Sequence, residues 1–250
     1  MKILMVGNSF SQDTMALLPA AAASAGVEVL GCNLFIGGCP LSRHVDLLKT
    51  GDAAYIFEVY GADLSQRGTH KTNLADALAR HEWDIITFQQ ASPSSGQAES
   101  YDLVDELYAF VKERMGDRPV RYAWNMTWAY QKDYNNEKFD LYNRDQDTMY
   151  RAICHAVDTK IRPRGLDVIP CGVAIQNARA LLGDRLTIDG MHLSRPLGRY
   201  IAALTFLARL LDIAPERVTF VPEGVTEAEV AACRAAVTAA VAQELSRTSN

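Results

Sequence analysis

Three side chains in this sequence have the types and order needed for nucleophilic catalysis on an acyl group. Ser9 stands in Gly7-Asn8-Ser9-Phe10-Ser11, and Asp189 and His192 stand three apart in Asp189-Gly190-Met191-His192. A serine hydroxyl attacks a carbonyl only when a neighbouring base takes its proton, and that base is usually a histidine held by a carboxylate. The glycine between Asp189 and His192 lets one short loop present both side chains to Ser9. The negative charge that forms on the carbonyl oxygen then needs hydrogen-bond donors aimed at it. The Ser9 N–H, the Gly38 N–H and the Gln89 side-chain amide could supply three. Gln90 is the alternative to Gln89, since adjacent strand residues face opposite ways. Trp124 and Trp128, in Trp124-Asn125-Met126-Thr127-Trp128, are candidates for a wall against which a substrate sugar stacks.

These residues need a frame that brings distant turns together. Short apolar runs alternate with longer helical patterns along the whole chain, which predicts a parallel sheet covered on both faces. Strands are expected at 2–7, 27–35, 83–88, 120–125 and 166–171. Helices are expected at 13–25, 41–48, 73–81, 101–115, 141–161, 173–182, 196–211 and 226–245, the last with Thr226 as its N-cap. The stretch 51–72 is the least regular and reads as an excursion or lid. A parallel sheet binds ligands at the carboxyl ends of its strands. Ser9, Gly38, Gln89 and Trp124 all fall where a predicted strand ends or just beyond, so they belong to one edge of one sheet. At 250 residues, with no repeat and no low-complexity linker, residues 1–250 form a single domain.

Composition removes several classes of function. A net charge of −5 gives no basic face for nucleic acid, and no apolar run approaches a membrane span. Gly7-Asn8-Ser9-Phe10-Ser11 lacks the Gly-x-Gly-x-x-Gly spacing that seats a dinucleotide. Five cysteines, odd in number and never paired as Cys-x-x-Cys, suggest neither a disulfide framework nor a zinc site. His44, His70, His81 and His155 show no metal-ligand spacing. Neither a cofactor nor a metal is expected. With the chain running from Met1-Lys2 straight into a core strand, a cytoplasmic location with reduced thiols is expected.

At the turns around Ser9 and His192 the chain resembles the SGNH (GDSL-like) hydrolases. Their Gly-Asp-Ser block is matched by Gly7-Asn8-Ser9, with asparagine in place of aspartate. Their oxyanion glycine is matched by Gly38, and their Asp-x-x-His loop by Asp189 and His192. Their Gly-x-Asn-Asp block is missing; Gln89 and Gln90 stand at that strand end, as a glutamine does in some carbohydrate-acetylesterase relatives. The Gly-Asn-Ser-Phe-Ser and Gln-Gln-x-Ser patterns resemble a bacterial branch of that superfamily. The resemblance covers residues 2 to about 212. It implies a three-layer α/β/α, flavodoxin-like fold with a parallel sheet of about five strands, and metal-independent hydrolysis of an ester, with a small-molecule ester as the partner. A short acyl group, such as acetyl, on a polar or carbohydrate substrate is the expected target. Acyl transfer, or cleavage of a thioester or lipid ester on the same triad, is the first rival. A flavodoxin-like binding domain with a degenerate site is the second. Acyl length and oligomeric state are left open.

Overall fold

The computed structural model describes residues 1–248, apart from the side chains of Thr69, His70 and Thr248. Its centre is a seven-stranded sheet in the order β4-β3-β2-β1-β5-β6-β7. The parallel strands are β1 (Lys2–Gly7), β2 (Leu30–Phe35), β5 (Ile85–Phe88), β6 (Arg121–Asn125) and β7 (Asp167–Ile169). Ile3, Leu4, Met5 and Val6 of β1, and all of Ile85–Phe88, are buried. Runs buried at successive positions, apart from Thr87 all apolar, suit a sheet covered by helices on both faces. Helices α1 (Ser9–Met15), α2 (Leu18–Ser24), α7 (Cys171–Leu182), α8 (Gly198–Leu210) and α9 (Glu227–Thr248) contact one another as one layer. Helices α3 (Leu41–Thr50), α4 (Leu74–Ala79) and α5 (Val104–Met115) form the other, and α6 (Gln146–Ala156) packs nearby on short helical turns.

The parallel strands alone run β2-β1-β5-β6-β7, so the chain leaves β1 toward one side and returns on its other side. The loops after β1, β2 and β5 therefore diverge, and the crevice they leave is where such sheets place ligands.

Three expectations are corrected. The sheet has seven strands, not about five, because the stretch expected to be an excursion or lid pairs as an antiparallel hairpin, β3 (Tyr55–Tyr60) and β4 (Gln66–Thr72), on the edge of β2. The helix expected at 13–25 is two helices: Pro19, in the first turn of α2, has no N–H to continue α1. The helix expected at 141–161 begins only at Gln146. There Asp145 caps it by accepting from the Thr148 N–H, after Asn143 and Arg144 have turned through positive φ.

Candidate active site

Strand β1 ends at Gly7, and the chain turns at once into α1. A side chain at Gly7 would collide: a Cβ there would lie 2.5 Å from Ser11 Oγ and 2.9 Å from Gln89 Cδ. Asn8 is the N-cap and is fully enclosed. Its Oδ1 accepts from the Phe10 N–H (3.0 Å) and from Gln89 Nε2 (2.8 Å), and its Nδ2 donates to the Cys39 carbonyl (3.1 Å). One carboxamide thus ties the turn after β1 to the end of β5 and to the loop after β2, which carries Gly38. That triple role explains asparagine here, since an aspartate could not donate to Cys39.

Ser9, the first residue of α1, faces His192. Its Oγ lies 2.8 Å from His192 Nε2, and His192 Nδ1 lies 2.6 Å from Asp189 Oδ2. With hydrogen on Nδ1, the imidazole donates to Asp189 and accepts from the Ser9 hydroxyl at Nε2. Asp189 Oδ1 also accepts from the Met191 and His192 N–H groups, so the carboxylate shapes the loop as well as the imidazole. Partial burial works against ionisation of Asp189, but the His192 ring and these N–H bonds outweigh it and hold its carboxyl below the usual range. Further bonds fix the loop. Gln131 N–H donates to the Gly190 carbonyl, Ile188 N–H to the His192 carbonyl, and Trp128 Nε1 to the Met191 carbonyl.

Among the described residues, neither the Ser9 N–H nor the Gly38 N–H donates to a protein acceptor. Gly38 is exposed at φ 63°, in the left-handed region that favours glycine, and a Cβ added there would meet no atom of the protein beyond its chain neighbours within 4 Å. Gln89, expected to be the third oxyanion donor, is enclosed behind the turn. Its Nε2 is bonded to Asn8 and its Oε1 accepts from Asn125 Nδ2 (3.2 Å). Gln90, the alternative, is also structural. Its Oε1 accepts from the Leu41 and Ala91 N–H groups and its Nε2 donates to Ser100. The β5 end is packed tightly, so both carboxamides are spent holding neighbouring loops.

Trp124 and Trp128, expected as a sugar-stacking wall, are both fully buried. Trp128 is instead a buttress: Phe10 stacks on it with centroids 4.3 Å apart, and Phe10 in turn meets the His192 ring in a T-shaped pair. Tyr134, near Asp189, is partly open. It borders a cleft of about 420 Å³ with Gln131, Asp133, Thr187, Ile188 and Asp189. His44 is buried against Tyr55, and burial pushes its imidazole down to about 4. The side chain of His70 lies outside the described residues. Among the described residues, no group of three His, Cys, Asp or Glu is placed to hold a metal ion, and no helix is long and apolar enough to cross a membrane.

Sequence reasoning missed the bonds beneath α1. Ser11 Oγ donates to Asn33 Oδ1, Gln12 Nε2 to Glu58 Oε1, and Asn125 Nδ2 to Thr14 Oγ1, while Asp13 accepts from the Leu193 N–H and from Arg199. A signal was present: Ser9–Met15 is polar at five of seven positions, yet follows directly on a core strand. A helix so placed must find polar partners.

The sheet and its flanking helices have the SGNH/GDSL-like hydrolase fold. An SGNH-hydrolase-assigned protein from Slackia heliotrinireducens superposes with a TM-score of 0.55 at 22% identity, over 84% of this chain and 98% of that one. A member of the lipolytic G-D-S-L family from Veillonella parvula does so at 0.52 and 12% identity, over 85% and 100%. Residues 2–240 match the family described as Domain of unknown function (DUF4886), and the chain belongs to that family. A DUF4886 family protein from Bacteroides uniformis is 35% identical over 97% of this chain and 95% of that one, with a TM-score of 0.92. No curated protein matches the chain.

Proposed function

We propose that the protein is a serine esterase acting on a short acyl ester of a polar substrate. The observation that carries this reading is the continuous chain from Asp189 through His192 to the Ser9 hydroxyl, with bonds of 2.6 and 2.8 Å. In the reaction, Ser9 Oγ attacks the ester carbonyl while its proton passes to His192 Nε2. The oxyanion is held by the Ser9 N–H at the start of α1 and by the Gly38 N–H. Collapse expels the alcohol, which takes the proton from His192 and leaves an acyl-Ser9. Water, deprotonated by the same imidazole, then releases the acid and restores the hydroxyl. Asp189 keeps the imidazole in the required tautomer and balances its charge.

A polar, carbohydrate-like alcohol portion suits the cleft beside Asp189, where Gln131, Asp133 and Thr187 stand with the open ring of Tyr134. A fluorophosphonate probe followed by mass spectrometry tests the assignment. Labelling at Ser9, lost in Ser9→Ala, is the expected result, with turnover of p-nitrophenyl acetate lost in parallel. Turnover retained in Ser9→Ala, or an adduct on another serine, overturns it. Comparison of acetylated sugars with fatty-acyl esters and acyl thioesters then settles the substrate.

A further inference from the structure

Asp13 lies one helical turn beyond Ser9 on α1, on the side facing the start of α8. It is almost wholly buried, yet it carries a carboxyl group. Oδ2 accepts from the backbone N–H of Leu193 at 2.8 Å, and Oδ1 accepts from Arg199 Nε at 2.9 Å. Leu193 is the residue after His192. Its N–H therefore fixes the exit of the histidine loop, as Asp189 fixes the entrance. The two ends differ in kind. Asp189 belongs to the loop it shapes, whereas Asp13 sits on the helix that carries the nucleophile. Among the described residues, the bond from the Leu193 N–H to Asp13 is the one hydrogen bond between the helix bearing Ser9 and the loop bearing His192 that does not involve the Ser9 hydroxyl and the His192 ring.

From this juxtaposition we infer that Asp13 is a positioning residue for the triad, which sets the distance between Ser9 and His192 and supports the charge that His192 acquires. The inference rests on the esterase reading of Ser9 and His192. A carboxylate is expensive to bury, and a neutral asparagine or serine would suffice to accept one N–H. What a carboxylate adds is an ion pair with Arg199 and a negative charge within coulombic reach of the imidazole, where positive charge develops during attack. The charged groups facing this pair are Arg199 from α8, Asp189 from the same loop and Asp13 itself, with Tyr134 flanking Asp189. Burial, opposed by Arg199 and the Leu193 N–H, pushes the Asp13 carboxyl up to about 6, so it is ionised at neutral pH, when the attack needs it.

The test uses the full chain, p-nitrophenyl acetate as substrate, thermal unfolding by circular dichroism, and the fluorophosphonate probe. In Asp13→Ala the loop loses its anchor, and kcat is expected to fall about 100-fold, as for a reacting group displaced by about an ångström, with KM little changed. Asp13→Asn keeps an acceptor for Leu193 and is expected to recover about tenfold of that loss. Its acid limb in the kcat profile should also differ from that of the natural protein, because a charge facing the reacting pair has been removed. Folded variants with wild-type kcat and an unmoved acid limb overturn the inference. So does a loss of unfolding temperature without change in either. If Asp13→Ala does not fold, the acid limb of Asp13→Asn alone decides. Failure of the wild-type protein to label at Ser9 would overturn the esterase reading instead, which keeps the two failures distinct.

Discussion

Helices α1 and α8 lie against each other on the same layer, and both are largely buried, but they are held by different forces. In α8, Tyr200–Leu207 is an unbroken buried stretch that is almost entirely apolar. Its position is fixed by area removed from water and by close packing, which are strong but not directional. In α1, Ser11, Gln12, Asp13 and Thr14 each reach a different partner element by a hydrogen bond of defined length. Such bonds add little net stability individually, about 1 kcal/mol each, but they are costly to leave unmade and they dictate orientation. The lesson is a division of labour. Apolar packing holds the layer on the sheet, and a polar frame sets the height and rotation of the helix that carries Ser9.

Substitutions can break that contrast. Ser9→Ala removes the nucleophile from a helix whose frame is otherwise untouched. Turnover should drop by roughly 10⁴-fold or more with unfolding temperature unchanged, which stopped-flow and thermal melts would show. Leu204→Ala, at the centre of α8, should do the reverse. A fully buried leucine truncated to alanine costs about 2–5 kcal/mol, so urea unfolding should shift strongly while kcat of the folded fraction stays within about twofold. An equal loss in kcat would show that α8 also sets the reacting geometry.

Asn8→Asp sharpens the comparison. It installs the residue of the GDSL pattern but deletes the donor to the Cys39 carbonyl and aims a carboxylate oxygen at it. The loop bearing Gly38 loses its tie, and kcat should fall about 10–100-fold with a smaller change in stability. A gain in activity would mean that the Asn8–Cys39 bond does not position the oxyanion donors.

The smallest effect is a pH dependence. The Asp13 carboxyl is raised from 3.8 to about 6 by burial, so the folded protein keeps this proton where the unfolded chain has released it. Its contribution to stability is therefore fully present below about pH 4 and declines as pH rises toward 6. The difference in unfolding temperature between the natural protein and Asp13→Asn should vary across that window and be flat above it. A constant difference would show that Asp13 titrates alike in both states.

Much of the fold was legible because its signals are periodic and local. The apolar runs at 2–7, 83–88 and 120–125 announce strands wherever they occur. The edge hairpin was not, because Gln66–Thr72 carries no apolar alternation, pairs along one side only and owes its shape to β3. At the site, the order of Ser9, Asp189 and His192 was readable, since each stands in a short turn of recognisable composition. The fates of Gln89, Gln90, Trp124 and Trp128 were not. Whether a polar or aromatic side chain after a strand points to a ligand or inward depends on long-range neighbours such as Asn8, Ser100 and Met191, separated from them by 10 to 81 positions.

The same edge hairpin has a consequence for how the molecule meets its own copies. A sheet must end somewhere, and an end strand offers unpaired backbone groups to any extended chain that drifts by. Here one end is β7, only three residues long, which gives little to grip. The other is β4, with Arg67 and Lys71 along its length and a register irregularity where it faces Ile56 and Glu58. A newcomer would have to bring charged groups side by side and follow a bent, uneven rail. The strand that extends the sheet beyond β2 thus also terminates it, with charged side chains and an uneven register on the edge it leaves open.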